Sequence, residues 1–171
     1  MEQIFPGVVR LTFGTPETDT PSRQIYVKPP RAEALAALPP AEFPFGAESI
    51  RFRTAARGCR LELPLTPAED VYGLGLNLKR LRHTGKKRTL RVNSDPATDT
   101  GDSHAPCPVY FSTAGYGVLV DTARYASFYC GGNELLNAEA KQENDGKIRL
   151  TEAELYAAGA RSSAPMVIDI P

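Results

Sequence analysis

Tryptophan is missing from this 171-residue chain, histidine occurs twice, and cysteine occurs three times, at Cys59, Cys107 and Cys130. An odd number of cysteines with no Cys-x-x-Cys spacing argues against a disulfide framework and against a zinc site, so the thiols are read as reduced core or strand residues. Two scattered histidines, His83 and His104, are too few for a metal centre, and no cofactor is implied. No apolar run approaches the ~20 residues that a membrane-spanning helix needs, and Met1-Glu-Gln-Ile-Phe-Pro6 has neither a basic nor an apolar leader region. The chain as given is expected to be soluble and cytoplasmic, with no membrane partner. Net charge is lacking too: Lys+Arg 20 balance Asp+Glu 20, which leaves no global field to recruit nucleic acid or anionic lipid.

What the chain does have is alternation. Val9, Leu11 and Phe13 stand against Arg10 and Thr12; Ile50 and Phe52 against Arg51 and Arg53; Cys59, Leu61 and Leu63 against Arg60 and Glu62. Leu90 and Val92 about Arg91, and Ile148 and Leu150 about Arg149, repeat the pattern. One buried and one wet face is the mark of antiparallel sheet. Turn signals at Gly14-Thr15-Pro16, Arg57-Gly58, Gly115, Gly117 and Gly131-Gly132 separate these runs, so the fold class is all-β, an antiparallel β-sandwich. One helix is predicted, a short connector over Arg31 to Leu38, stopped by Pro39-Pro40 because proline cannot continue the backbone ladder. The stretch from Gln24 to Pro44 is expected to be a long surface excursion. A length of 171 residues suits one domain, 1–171, able to bury roughly 70% of the surface its unfolded chain exposes. The run Met166-Val-Ile-Asp-Ile-Pro171 reads as a strand, and its place at the end of the chain leads to the expectation that a further module follows.

Two clusters could carry chemistry. From Lys79 to Arg91, seven cations flank His83, and such a run can track a phosphate backbone. It lacks the interleaved aromatics on which bases stack, so a solvated hairpin is expected and no nucleic-acid partner. The second cluster is Asn93-Ser-Asp95-Pro-Ala-Thr-Asp99-Thr-Gly-Asp102-Ser-His104. Its carboxylates could accept charge-assisted hydrogen bonds from sugar hydroxyls, or cap turns by bonding their own backbone, the latter being the expectation for Asp99 and Asp102. A calcium site is set aside because the spacing departs from that of an EF-hand loop. A Ser103, His104 and Asp102 triad is discounted, since sequence neighbours rarely reach triad geometry; His104 is expected to fix the loop by hydrogen bonding.

In order along the chain, Glu69-Asp-Val-Tyr-Gly-Leu-Gly75, Asn93-Ser-Asp95, Pro108-Val-Tyr-Phe-Ser-Thr113 and Gly115-Tyr-Gly-Val-Leu-Val-Asp121 resemble the N-terminal domain of glycoside hydrolase family 31, which includes α-glucosidases and α-xylosidases. The resemblance implies a galactose mutarotase-like β-sandwich packed on a catalytic (β/α)₈ barrel of the same full-length chain. That barrel supplies both carboxyl groups for retaining hydrolysis of an α-glycoside or oligosaccharide. It also implies that no catalytic residue lies in this chain, and that Asp95, with Asn93 beside it, contacts substrate from a loop overhanging the barrel. The pattern departs from many members at Leu76, where Glu is common, and in the extension from Asp99 to His104. A free-standing carbohydrate-binding module is the alternative, with Tyr110, Phe111, Tyr116, Tyr125, Phe128 and Tyr129 as candidate stacking faces. An aldose mutarotase is a third reading, disfavoured because no strand histidine has a partner Glu at obvious spacing.

Overall fold

A computed structural model of the chain describes residues 1–15, 17–24, 31–39, 42, 44–55, 58–92, 101–132 and 164–171. The chain opens with a hairpin of β1 (Glu2–Phe5) and β2 (Val8–Arg10), turned at Gly7, whose φ of 72° suits glycine. Two short helices, α1 (Pro21–Gln24) and α2 (Ala32–Ala36), and a single 3₁₀ turn (Ala47–Ser49) precede β3 (Arg51–Ala55) and β4 (Gly58–Leu63). There follow β5 (Val71–Gly73), β6 (Lys87–Val92), β7 (Asp102–Ser103), β8 (Val109–Ser112), β9 (Tyr116–Leu119), β10 (Ser127–Cys130) and β11 (Met166–Ile170). Among the described residues, one sheet runs in the order β3-β4-β11-β10-β6-β7 and a second in the order β5-β8-β9. Every pairing is antiparallel except β6 with β7, which is parallel.

The two sheets face each other across one core, which makes the fold an all-β sandwich. Leu63, Leu90, Phe128, Cys130, Met166, Ile168 and Ile170 come from the larger sheet and meet Val71 and Tyr110 of the smaller. Tyr110 is where the layers touch: its ring stands edge-on to Phe128 at 6.3 Å between centroids and to Tyr116 at 6.3 Å, arrangements that aromatic quadrupoles favour. Burial pushes the Cys130 thiol up to about 12, so this sulfur stays protonated and acts as a small apolar filler.

The predicted alternation holds on β4, where Leu61 and Leu63 turn inward, and breaks on β6. Leu90 is buried as expected, but Val92 is exposed, because the β6–β7 pairing shifts register between Thr89 and Val92 and so redirects the following side chain. The inward position two residues before Leu90 is taken by Arg88, which corrects the picture of a solvated hairpin over Lys79 to Arg91. Residues 79–82 are exposed and Arg82 bridges back antiparallel to Tyr72, as a solvated hairpin requires, but the run then crosses to the other sheet and Arg88 is buried. Gly117, predicted to mark a turn, lies inside β9, while Gly115 and Gly131 do sit at turns with positive φ. The one predicted connector helix is α2, ending before Leu38 and Pro39, and α1 is a second that the sequence reading missed. Between Gln24 and Pro44 every described side chain is exposed, as a surface excursion requires. Ile148 and Leu150 lie outside the described residues.

Candidate functional site

The Tyr72–Asn77 segment turns sharply through three consecutive residues of positive φ: Gly73 at 106°, Leu74 at 58° and Gly75 at 88°. Leu74 is not glycine, so its left-handed backbone costs roughly 1–2 kcal/mol. Complete burial of its side chain offsets that cost. The amide of Asn77 closes the turn, its Nδ2 donating toward the carbonyls of Gly73 and Gly75 at 3.3 and 3.2 Å.

This turn is laced to residues 103–105. The Leu76 N–H donates to the Ala105 carbonyl at 3.0 Å, and the Leu76 carbonyl accepts from the His104 N–H at 2.9 Å and from the Ser103 hydroxyl at 3.1 Å. A few residues away, Arg91 donates to Asp102 at 2.8 Å, and the Thr89 N–H donates to the Gly101 carbonyl at 2.8 Å. Both ends of the segment 93–100 are therefore fixed: at Val92 by β6 and at residues 101–104 by β7 and the turn. Asp102, predicted to cap a turn, forms this ion pair, and its side chain is only 4% exposed. His104 holds the loop end through its backbone N–H while its ring faces solvent. Ser103 bonds Leu76 rather than His104, which agrees with discounting a triad.

Beneath the turn lies a buried pair. The Nε of Arg88 donates to Nδ1 of His83 at 3.0 Å, and Nε2 of His83 sits 3.1 Å from the Gly73 carbonyl. Arginine can only donate, so Nδ1 must accept and Nε2 must carry the hydrogen that reaches Gly73. The imidazole is thereby a positioning link between β6 and the turn, not a ligand. Sequence pattern alone missed Arg88, since nothing in a run of cations marks one of them for the interior.

Glu69 is a second buried anchor. Its carboxylate accepts from the Thr66 N–H at 2.9 Å, the Ser112 hydroxyl at 2.6 Å and the Tyr116 hydroxyl at 2.9 Å. Burial pushes the carboxyl up, but the bonds from Ser112, Thr66 and Tyr116 outweigh it and hold the group below its ordinary value. Asp121 is held low in the same way, burial opposed by bonds from Ser22 and Thr20, and so ties α1 to the end of β9. A carboxyl that is more acidic folded than unfolded contributes stability that is whole above the ordinary carboxylate range and drains as pH falls through the folded value. The urea midpoint should hold steady from pH 7 to 5 and drop below about pH 4. Glu69→Gln should make that drop shallower, and an unaltered slope would show that the titration lies elsewhere.

Asn93, Asp95 and Asp99 lie outside the described residues. Of the candidate stacking rings, Tyr110, Phe128 and Tyr129 are core and Tyr116 is half-buried, leaving Phe111 and Tyr125 exposed. Among the described residues, no group of three or more His, Cys, Asp or Glu could hold a metal ion, and no helix is long and apolar enough to cross a membrane.

Residues 24–128, more than half of the chain, match the family described as the glycosyl hydrolase 31 N-terminal galactose mutarotase-like domain. Among solved structures, the chain is similar to a GH31 dextranase of Flavobacterium johnsoniae, a mutant complexed with isomaltotriose, at 15% identity and a TM-score of 0.48, over 74% of this chain and 12% of that one. The same dextranase complexed with glucose matches at 15% identity and a TM-score of 0.47, with 74% and 12% covered. The chain thus spans about 12% of the length of those structures.

Proposed function

Because this chain belongs to the family of glycosyl hydrolase 31 N-terminal galactose mutarotase-like domains, we propose that residues 1–171 form the non-catalytic N-terminal domain of a retaining α-glycosidase of the α-glucosidase or α-xylosidase type. In this role the sandwich packs on a catalytic barrel of the same polypeptide, and the loop between β6 and β7 lends Asp95, with Asn93 beside it, to the hydroxyls of an α-glycoside or oligosaccharide. The barrel supplies the carboxyl groups that cleave the bond. A carboxylate aimed at sugar hydroxyls binds and orients: it accepts hydrogen bonds stronger than those between neutral partners, provided its position is held.

The observation that carries this proposal is the family match over residues 24–128, which includes the loop. The bonds at the base of the loop support it, since Arg91 holds Asp102 and Leu76 holds Ser103 where the chain enters and leaves 93–100. In the full-length enzyme, Asp95→Ala should lower kcat/KM for an aryl α-glycoside by about 10- to 100-fold, the worth of one or two hydrogen bonds to a charged group. The 171-residue chain alone should hydrolyse none of it. Unchanged kinetics in Asp95→Ala would remove the loop from the site, and turnover by the chain alone would overturn the non-catalytic role.

The exposed rings of Phe111 and Tyr125 favour a second reading, a free-standing carbohydrate-binding module. Saturable binding of an α-linked trisaccharide by the chain alone, followed by calorimetry, supports that reading; flat heats exclude it.

A further inference from the structure

His83 is 1% exposed and Arg88 3%, and apolar side chains in their place would fill the same space with no charge to desolvate. What the polar pair adds is direction. Four residues beyond Arg88, β6 ends at Val92, where the chain enters 93–100. On its other side His83 reaches the Gly73 carbonyl, which also accepts from the Asn77 amide at 3.3 Å. Asn77 holds Gly75 as well, and Leu76 between them bonds Ser103, His104 and Ala105, where the chain has left 93–100. The strand that enters the loop and the segment that leaves it are thus joined from beneath, with His83 at the centre. The backbone of His83 is itself fixed between the sheets. Its N–H donates to the Val71 carbonyl at 2.8 Å, its carbonyl accepts from the Lys86 N–H at 2.9 Å, and the Lys86 carbonyl accepts from the Cys130 N–H at 2.9 Å. The direct pairing of the two stems is slight by comparison, since β7 has two residues and its pairing with β6 shifts register.

We propose that His83 is a positioning residue for the substrate contact made from the 93–100 loop: it fixes the strand that feeds the loop against the turn that receives it, and so sets where the loop's carboxylate meets a sugar hydroxyl. This role rests on the proposed function, in which Asp95 touches substrate. The ring acts through both nitrogens at once, accepting from Arg88 at 3.0 Å and donating to Gly73 at 3.1 Å. Phenylalanine at this position keeps the shape and loses both bonds. Glutamine carries an acceptor oxygen and a donor nitrogen on one planar group, so it can stand in for the imidazole in part. Displacing a group that orients substrate by about 1 Å can cost on the order of 10²-fold in rate, so a residue remote from the chemistry carries kinetic weight when it fixes such a group.

Two measurements test this. In the 171-residue chain, amide hydrogen exchange is followed at Leu76 and His104, which bond Ala105 and Leu76, and at Val120 and Ile50, which bond Pro108 and Ala47 elsewhere in the fold. His83→Phe should speed exchange about tenfold at the first two and leave the others unchanged, and His83→Gln should restore most of the protection. In the full-length polypeptide, His83→Phe should lower kcat/KM for an aryl α-glycoside about 5- to 10-fold, and His83→Gln should recover most of it. Combined with Asp95→Ala, His83→Phe should add nothing to the loss from Asp95→Ala alone, because the placing of an absent carboxylate no longer matters. Should His83→Phe fail to fold, Arg88→Met, which removes the donor to the same ring, is expected to give the same exchange pattern and the same non-additivity. Exchange that rises equally at all four amides, or at none, overturns the role, as do losses that multiply with Asp95→Ala; each leaves the proposed function standing. Unchanged turnover in Asp95→Ala overturns the proposed function and this role with it, whatever the exchange shows.

Discussion

Gly75→Ala should destabilise the chain by about 3–5 kcal/mol, enough to remove much of the margin of an ordinary domain. Two costs combine. A backbone φ of 88° is unfavourable for any residue with a Cβ, by about 1–2 kcal/mol. In addition, a Cβ at this position would stand 2.0 Å from the Ala105 carbonyl oxygen, so the turn and the 103–105 segment must part. Parting strains three bonds at once: Leu76 to Ala105, His104 to Leu76 and Ser103 to Leu76, each worth about 1 kcal/mol. Gly115→Ala provides the control, since its φ is nearly the same at 87° but no atom lies within 4 Å of the added carbon. It should cost only the backbone part. Chemical denaturation of both variants isolates the steric difference, and equal losses would show that Ala105 yields easily. Under the proposed function, the same substitution in the full-length polypeptide should also impair activity toward α-glycosides at temperatures where the fold survives, because it loosens the base of the loop.

Glu69→Ala should cost about 3–5 kcal/mol for a different reason. Removing the carboxylate leaves the Ser112 hydroxyl, the Tyr116 hydroxyl and the Thr66 N–H in a nearly dry site without their acceptor, and each orphaned buried donor costs about 1–3 kcal/mol. Some of that is recovered because Ser112 still accepts from the Ala114 N–H. Burial raises the Tyr116 hydroxyl well above its ordinary value, and its bond to Glu69 raises it further, so it remains a donor at any working pH. Glu69→Gln keeps an acceptor oxygen and should lose less than half as much. Thermal unfolding with near-ultraviolet detection of the tyrosines would measure both. A loss under 1 kcal/mol in Glu69→Ala would mean that water replaces the carboxylate without difficulty.

The sequence carried the sandwich because its evidence is local. Alternation over Cys59 to Leu63 and glycines at Gly115 and Gly131 depend only on a residue's nearest neighbours and on backbone sterics. The buried Arg88 was not legible, because its inward position depends on the pairing of β6 with β10 and on a histidine five residues earlier, neither of which a charge pattern reveals. The ion pair of Asp102 was not legible for a related reason. Aspartate is a frequent turn capper, and only the parallel pairing of β6 with β7 brings it to Arg91. Glu69 stood inside the motif that carried the family resemblance, yet its bonds to Ser112 and Tyr116, 43 and 47 residues away, are contacts between distant parts of the chain. Asp95 and Asn93 rest on the resemblance alone, since free carboxylates in a polar loop look the same whether they bind sugar or cap a turn.

The place of β11 between β4 and β10 governs how this domain can be born on the ribosome. Translation delivers β4 and β10 first, and the lane between them stays vacant until residues 166–170 have left the exit tunnel. Until then each of those two strands keeps a bare edge whose amide and carbonyl groups can recruit a stray chain. The nascent polypeptide therefore passes through a stage when a chaperone that masks strand edges protects it most, and ribosome stalling before Met166 should yield aggregation instead of a native sandwich.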